Sequence, residues 1–228
     1  TRQESGAFIQ AYRDFPNASR EVVIVNGAQG GQPASVIARP DAPYWTFVDE
    51  ALAREGLKPA QVQAVWLKQA EARPTDPFPH YAERLQQYRE AIVRILKDEY
   101  PNLRQCHLSS RIYAGYAGTA LNPEPYAYQS GFAVKWLIAD KIAGKPELSF
   151  LGPAAQAPWL AWAAYLWADG LEPRSDGLIW ECDDFADDGT HPSAKGARKV
   201  AHLLLDFYAC DPTTRPWFVR CQPDLTDD

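Results

Sequence analysis

One short segment of the sequence places an aspartate and a histidine close enough together for acid–base chemistry. It reads DDGTHPSAKGARKVA, so Asp188 lies three residues before His191 and a predicted helix follows. A catalytic imidazole needs a carboxylate on one ring nitrogen so that the other nitrogen can accept a proton. The segment therefore predicts a catalytic Asp–His pair. The spacing alone also fits a turn aspartate beside a surface histidine at a helix start.

Two other segments contain groups that could donate hydrogen bonds to a ligand. Gly30 and Gly31 lie in VNGAQGGQ, where the backbone can approach a ligand closely. That loop fits an oxyanion hole, an anion or phosphate cradle, or a plain tight turn. The phosphate cradle is disfavoured because no Lys-Ser/Thr pair follows the glycines and the GxGxxG spacing is absent. Gln69, in WLKQAEARP, follows a predicted strand, where its amide either stabilises an oxyanion or belongs to a solvated loop.

The remaining chemistry-bearing residues are serines and tryptophans. Ser109 and Ser110 open an aromatic, Gly-rich loop over 109–127, but neither lies in a G-x-S-x-G turn, so we interpret this loop as a pocket wall. Three tryptophans follow in a Trp- and Pro-rich segment over 145–175: Trp159, Trp162 and Trp167. They either face a sugar or acyl group or cover the sheet.

Strands and helices alternate along the chain. The hydrophobic spacing predicts helices over residues 5–15, 44–55, 80–100, 129–143 and 193–208. Short apolar runs predict strands over 21–25, 62–67 and 103–108, with a fourth strand or an edge over 176–181. This alternation predicts an α/β fold with a mainly parallel sheet covered on both faces. In such a sheet, ligands bind beyond the carboxyl ends of the strands, which brings the loops 26–35, 68–78, 109–127 and 182–192 together.

Composition and charge narrow the function classes. The 228 residues carry a formal net charge of −6, which argues against a general nucleic-acid binder. The longest uncharged apolar stretch, 154–168, is too short to span a membrane. We expect a single domain over 1–228, with an irregular insertion around 145–175 and a C-terminal tail over 209–228.

Four cysteines bear on the compartment. A bridge between Cys210 and Cys221 would clamp the Pro-rich tail, and Cys106 and Cys182 would then pair by elimination. The alternative is four unrelated thiols. The even count favours an oxidising compartment, so we expect a secreted or periplasmic protein.

Taken in order, these loops resemble the SGNH (GDSL-type) hydrolase family. D-G-T-H-P at 188–192 matches the last block of that family, and A-Q-G-G at 28–31 is similar to its glycine block. K-Q-A-E at 68–71 is closest to the variant of sialate O-acetylesterase-like carbohydrate esterases, in which Gln replaces Asn. The resemblance implies a flavodoxin-like three-layer α/β/α sandwich. It also implies His191 as general base, Asp188 as its orienting partner, and Gly31, Gln69 and Gly30 as the oxyanion hole.

The sequence departs from the family at the nucleophile. The family's serine follows the first strand, ahead of the glycine block, and no such motif is present here. Neither Ser5 nor Ser19 follows a predicted strand, and we assign the role to neither. We expect the nucleophile and the central first strand immediately upstream of Thr1. Without that strand, the sheet would leave a row of unpaired backbone groups.

The resemblance implies an acyl-enzyme mechanism on acyl esters, with acetyl groups on carbohydrate as the leading substrate. It requires no metal and no organic cofactor. A non-catalytic carbohydrate-binding protein on the same scaffold is the alternative, because the serine is absent and the loops are aromatic. A nucleotide or phosphate binder is a third hypothesis, disfavoured because Arg39 is the basic residue nearest to loop 26–35.

Overall fold

The computed structural model describes residues 1–220 and combines helices with a small parallel sheet. The helices are α1 (Arg2–Asp14), α2 (Ala34–Ile37), α3 (Pro43–Arg54), α4 (His80–Glu99), α5 (Tyr126–Ile142), α6 (Ala194–Cys210) and α7 (Arg215–Phe218). The strands are β1 (Ala64–Leu67), β2 (Gln105–Leu108) and β3 (Trp159–Trp162). Short 3-10 helices cover Pro59–Gln61, Pro146–Leu148 and Cys182–Asp184. The chain is therefore an α/β protein, as the alternating pattern predicts.

The sheet has the order β1-β2-β3, and both strand pairs are parallel. Ala64 is in register with Gln105, and Gln105 with Trp159, so all three strands end at the same edge of the sheet. In this order, β1 pairs on one side only. Among residues 1–220, no strand pairs with its other side, which is therefore an open strand edge.

Successive residues of β2 point to opposite faces of the sheet and contact different helices. Cys106 and Leu108 of β2 belong to one buried cluster, which also contains apolar residues of α3, α4 and α5. The side chain of His107, between them, contacts Tyr208 of α6 on the other face. A second cluster there joins α1, α6 and α7.

Two of the four predicted strands are confirmed, and two are wrong. β1 and β2 lie within the predicted runs 62–67 and 103–108. Residues 21–25 are not a strand, and residues 22–25 form no backbone–backbone hydrogen bond. A β-branched run becomes a strand only where a neighbouring strand can pair with it, and none does here. Residues 176–181 are also not a strand.

The third strand is β3, which lies inside the segment predicted to be irregular. β3 has only four residues, which are too few to show the alternation of apolar and polar residues that predicts a strand. Trp159 and Trp162 belong to this strand, so they are part of the sheet itself.

The predicted long helices are confirmed. They could be predicted because their ends carry local sequence signals. α1 begins three residues earlier than predicted, since Thr1 and Glu4 form a reciprocal capping box. α3 is followed by Gly56 at φ +72°, a backbone conformation that favours glycine. The tail is more regular than predicted over its described part: α7 buries Phe218 against Phe8 and Tyr12 of α1.

The described cysteines are free thiols. Cys106 is buried in β2 and Cys182 is exposed, and the two are not bonded to each other. Cys210 is exposed at the end of α6, and its predicted partner Cys221 lies outside the described residues. Among residues 1–220, no helix combines the length and apolarity that crossing a membrane requires.

Candidate active site

The predicted Asp–His pair is formed. Nδ1 of His191 lies 2.5 Å from Oδ2 of Asp188. The other carboxylate oxygen of Asp188 accepts hydrogen bonds from the backbone N–H groups of Thr190 and His191, at 3.0 and 2.9 Å. Both oxygens of the carboxylate are thus occupied within one turn. This fixes the imidazole with Nδ1 toward the carboxylate and leaves Nε2 to act on another group.

The loop that carries this pair is held from both sides. Gly189 has φ +64°, and a Cβ at this position would lie 1.9 Å from the carbonyl oxygen of Tyr116. Glycine is therefore required for both the backbone conformation and the packing. Ser193 caps α6 by accepting hydrogen bonds from the N–H groups of Lys195 and Gly196. The pair is thus positioned between a tight turn and a capped helix.

The environment keeps Asp188 ionised. Burial raises the pKa of its carboxyl group, but the hydrogen bonds from the ring and backbone of His191 and from the backbone of Thr190 outweigh burial. The net result is a pKa below the ordinary aspartate value. An ionised Asp188 can stabilise a protonated imidazole, as a general base requires.

The predicted oxyanion residues lie in two loops that contact each other directly. The side-chain amide of Gln69 donates to the carbonyl oxygen of Gln32, next to Gly31. Gly31 has φ +71°, a left-handed backbone conformation that favours glycine. The loops are also joined where the Ala34 N–H donates to the Ala70 carbonyl at 3.0 Å. Gln69 is thus engaged with the glycine loop and is not a solvated polar residue.

Arg89 of α4 supports this arrangement from the core. Its side chain is 1% exposed and donates two hydrogen bonds to the Gln69 carbonyl, at 3.1 and 2.7 Å, and one to the Ser130 carbonyl at 2.8 Å. This role of Arg89 was not predicted, although the sequence contains a signal for it. Arg89 follows Leu85 by four residues and precedes Ile92 by three, so a charge lies on the apolar face of the helix.

All the predicted site residues except Asp188 line one cavity of about 1620 Å³. His191 contributes from one side, and Gly30, Gly31 and Gln69 contribute from the contacting loops. Thr1, the first residue of the sequence, lines the same cavity. The imidazole, the diglycine turn and the amide therefore line the same cavity.

A buried ion pair beside this cavity joins the end of β1 to α1. Nζ of Lys68, the residue after β1, lies 2.6 Å from Oε1 of Glu4, whose side chain is fully buried at 0% exposure. Burial raises the pKa of Glu4, but the charge of Lys68 and the hydrogen bonds around the carboxylate hold it well below the ordinary value. No local pattern could have predicted this pair, because its members are 64 residues apart.

The two serines after β2 do not line the cavity. Ser109 Oγ accepts a hydrogen bond from Trp66 Nε1 and donates one to the Ala164 carbonyl. Ser110 is 1% exposed, and its hydroxyl is buried without a partner. Neither hydroxyl is presented to His191. Trp167 also lies outside the cavity, and its indole N–H donates to Glu124.

One acidic group outside the cavity has the spacing of a metal site. Glu181, Asp183 and Asp184 place carboxylate oxygens within 4.8 Å of one another. Two lysines already occupy the space that a cation would take. Lys195 Nζ lies 2.6 Å from Glu181 and 2.7 Å from Asp183, and Lys199 Nζ lies 2.5 Å from Asp184. These contacts make the group an ion-pair network that fixes the start of α6.

Comparisons of the chain with protein-family models, with curated proteins and with solved structures found no match. The function must therefore be inferred from the site.

Proposed function

We propose that this chain forms most of a serine esterase that hydrolyses acyl esters through an acyl-enzyme intermediate. The observation that supports the proposal is that His191, Gly31 and Gln69 line one cavity and that Asp188 contacts the imidazole of His191. A base with an orienting carboxylate, facing backbone and amide donors, is the arrangement that acyl transfer needs. The order of the corresponding sequence blocks, which resembles the SGNH family, supports the same reaction.

The proposal requires a nucleophile, and the shape of the cavity indicates where it enters. The cavity is lined by residues 61–72, which contain β1 and both of its flanks, and by residues 19–25. Residues of both buried clusters line it too, including Leu52 and Ile92 from one and Phe8 and Phe218 from the other. It therefore runs along the unpaired edge of β1 and reaches the helices on both faces.

We propose that a further strand of the full protein occupies the part of this cavity that runs along β1 and pairs with β1, leaving the part beside His191 open to substrate. Such a strand would satisfy the unpaired backbone groups of β1 and of residues 22–25. It would complete a three-layer α/β/α sandwich with a mainly parallel sheet. A serine at its carboxyl end would lie beside Thr1, His191 and Gly31. The strand and the serine would be supplied by residues preceding Thr1.

The mechanism follows from these positions. Nε2 of His191 takes the proton of the serine hydroxyl as the oxygen attacks the ester carbonyl, and the carboxylate of Asp188 supports the imidazolium. The N–H of Gly31, the Gln69 amide and the N–H of the serine hold the oxyanion, with Gly30 beside them. His191 then returns the proton to the leaving alcohol, and water releases the acyl group by the reverse sequence. The proposed substrate is an acyl ester, with an acetyl group on carbohydrate as the first choice, and the proposed location is secreted or periplasmic.

Hydrolysis of 4-nitrophenyl acetate by the full-length protein tests this proposal. We expect His191→Ala to abolish turnover and His202→Ala, an exposed position on α6, to leave it intact. Normal turnover by His191→Ala would refute the assignment of the base.

Carbohydrate binding without catalysis remains the second candidate function, and one observation favours it. A continuous cluster of aromatic rings reaches the surface, with Phe78 49% and Tyr128 43% exposed. Partly exposed rings can stack against the apolar faces of sugars. A serine-reactive phosphonate separates the two candidates, because covalent labelling of the intact protein requires an activated serine and a pure binder would stay unlabelled.

A further inference from the structure

The side chain of Arg111 has no role in the proposed reaction, yet it lines the cavity that contains His191. The backbone N–H of Arg111 donates to Ser130 Oγ at 3.0 Å, which fixes this residue in the loop after β2. Its Nε is buried without a hydrogen-bond partner. Arg111 is half-buried. A guanidinium carries five N–H donors in a fixed geometry, so its free donors can bind an acceptor that enters the cavity.

The neighbouring carboxylates are already engaged. Glu4 is paired with Lys68 at 2.6 Å. Both oxygens of Glu124 accept hydrogen bonds from backbone and indole N–H groups. Asp188 is bonded to the histidine and backbone of its own loop. Among residues 1–220, these three carboxylates attract the charge of Arg111, but none of them forms a hydrogen bond or close ion pair with its guanidinium.

We propose that Arg111 binds an oxyanion on the substrate, a carboxylate or a phosphate group, which enters the cavity beside His191. This inference rests on the proposed esterase function and narrows it to esters that carry a negative charge. The planar guanidinium can donate two parallel hydrogen bonds to either oxyanion, and these charge-assisted bonds are stronger than those between neutral groups. Lys68 cannot take this role, because its ammonium is committed to Glu4.

The electrostatics of the cavity agree with this role. Burial lowers the pKa of Arg111 below the ordinary arginine value, so the site disfavours the unpaired charge. An oxyanion that arrives with the substrate would relieve this cost at the moment of binding. Arg111 would then act as a specificity residue, and neutral esters would bind without that contact.

A matched pair of esters tests the inference in the full-length protein. 4-Acetoxybenzoate carries a carboxylate, and 4-acetoxybenzamide is its neutral counterpart with the same acetyl ester. We expect Arg111→Gln to raise the KM for 4-acetoxybenzoate at least about 10-fold more than the KM for 4-acetoxybenzamide. Arg94→Gln, which removes an exposed arginine from α4, is the matched control and should not change the ratio of the two KM values. An unchanged ratio in Arg111→Gln would overturn the inference.

A binding measurement that needs no turnover separates this inference from the esterase proposal. Benzoate and inorganic phosphate are titrated separately into the intact protein, and binding is followed by calorimetry. Binding of either ion that Arg111→Gln abolishes supports the oxyanion site, even if the phosphonate probe finds no active serine. Benzoate binding alone identifies a carboxylate, and phosphate binding alone identifies a phosphate group. Binding of neither ion by the wild-type protein would overturn the inference.

Arg111→Lys is a second variant, which tests the inference even if Arg111→Gln fails to fold. It keeps the positive charge but not the two-pronged geometry, so we expect it to remain folded by circular dichroism and to lose most of the discrimination between the two esters. Discrimination equal to that of the wild-type protein would overturn the specific role of the guanidinium.

Discussion

Nζ of Lys68 and Oε1 of Glu4 lie 2.6 Å apart and tie the end of β1 to the first turn of α1. Both side chains are almost inaccessible, with exposures of 8% and 0%. The pair therefore fixes the two elements that border the cavity on either side of Thr1. The geometry of the site therefore depends on this ion pair remaining formed.

Removing one charge of this pair should destabilise the protein strongly. Glu4→Gln leaves the Lys68 ammonium buried without its counter-ion, so we expect a loss of about 3–5 kcal/mol in the free energy of unfolding. Urea denaturation measures it. Glu83→Gln, which breaks an exposed contact with His80, should cost less than about 1 kcal/mol. Equal losses of unfolding free energy in the two variants would show that the buried pair contributes no more to stability than an exposed one.

Asp188 should affect the rate much more than the stability. Asp188→Asn removes the negative charge that supports the imidazolium, so we expect kcat for ester hydrolysis to fall roughly 10²- to 10⁴-fold. Asp187→Asn, an exposed neighbour in the same loop, is the matched control and should retain activity. A comparable loss in both variants would mean that loop structure, and not the carboxylate of Asp188, is responsible.

The amide of Gln69 should contribute to the chemical step. Gln69→Ala removes the side-chain donor, and we expect kcat to fall about 10²-fold or more, with the fold intact by circular dichroism. Gln10→Ala, an exposed change on α1, should be silent. An unchanged kcat in Gln69→Ala would place the oxyanion donor elsewhere.

Buried His107 should make stability depend on pH. Burial lowers its pKa from 6.5 to about 4, against a smaller opposing effect of Asp211, so the folded protein keeps this imidazole neutral. The unfolded chain binds a proton there below about pH 6.5, so stability falls as the pH drops from about 6.5 to about 4. The contribution lost over this window is roughly 2–3 kcal/mol.

Replacement of His107 tests this linkage. His107→Leu should flatten the fall in unfolding free energy between pH 6.5 and pH 4.5, measured by urea titrations at several pH values. His202→Leu, at an exposed position, should keep the slope of the wild-type protein. A slope unaltered by His107→Leu would assign the pH dependence to other groups.

The parts of the fold that the sequence predicts correctly are those with local causes. The long helices follow from amphipathic spacing and end signals such as Thr1 and Gly56. β3 escapes prediction because four residues between Pro-rich segments carry no readable period. Residues 21–25 have the composition of a strand, but strand formation depends on a neighbour, which composition does not show.

The same distinction holds for the site. Asp188 and His191 are predictable because a single turn brings them together. The roles of Arg89 and of the Lys68–Glu4 pair depend on contacts between distant segments and appear only in the folded chain. The catalytic roles of Gly30, Gly31 and Gln69 remain predictions, which the contact between their loops supports.

The central claim is that a serine on a strand preceding Thr1 faces His191 across the cavity. The most direct test is to label the full-length protein with a fluorophosphonate, digest it and locate the modified residue by mass spectrometry. The account predicts one labelled serine, located upstream of Thr1, and loss of labelling in His191→Ala. Absence of labelling in the wild-type protein, or modification of Ser109 or Ser110, would contradict it.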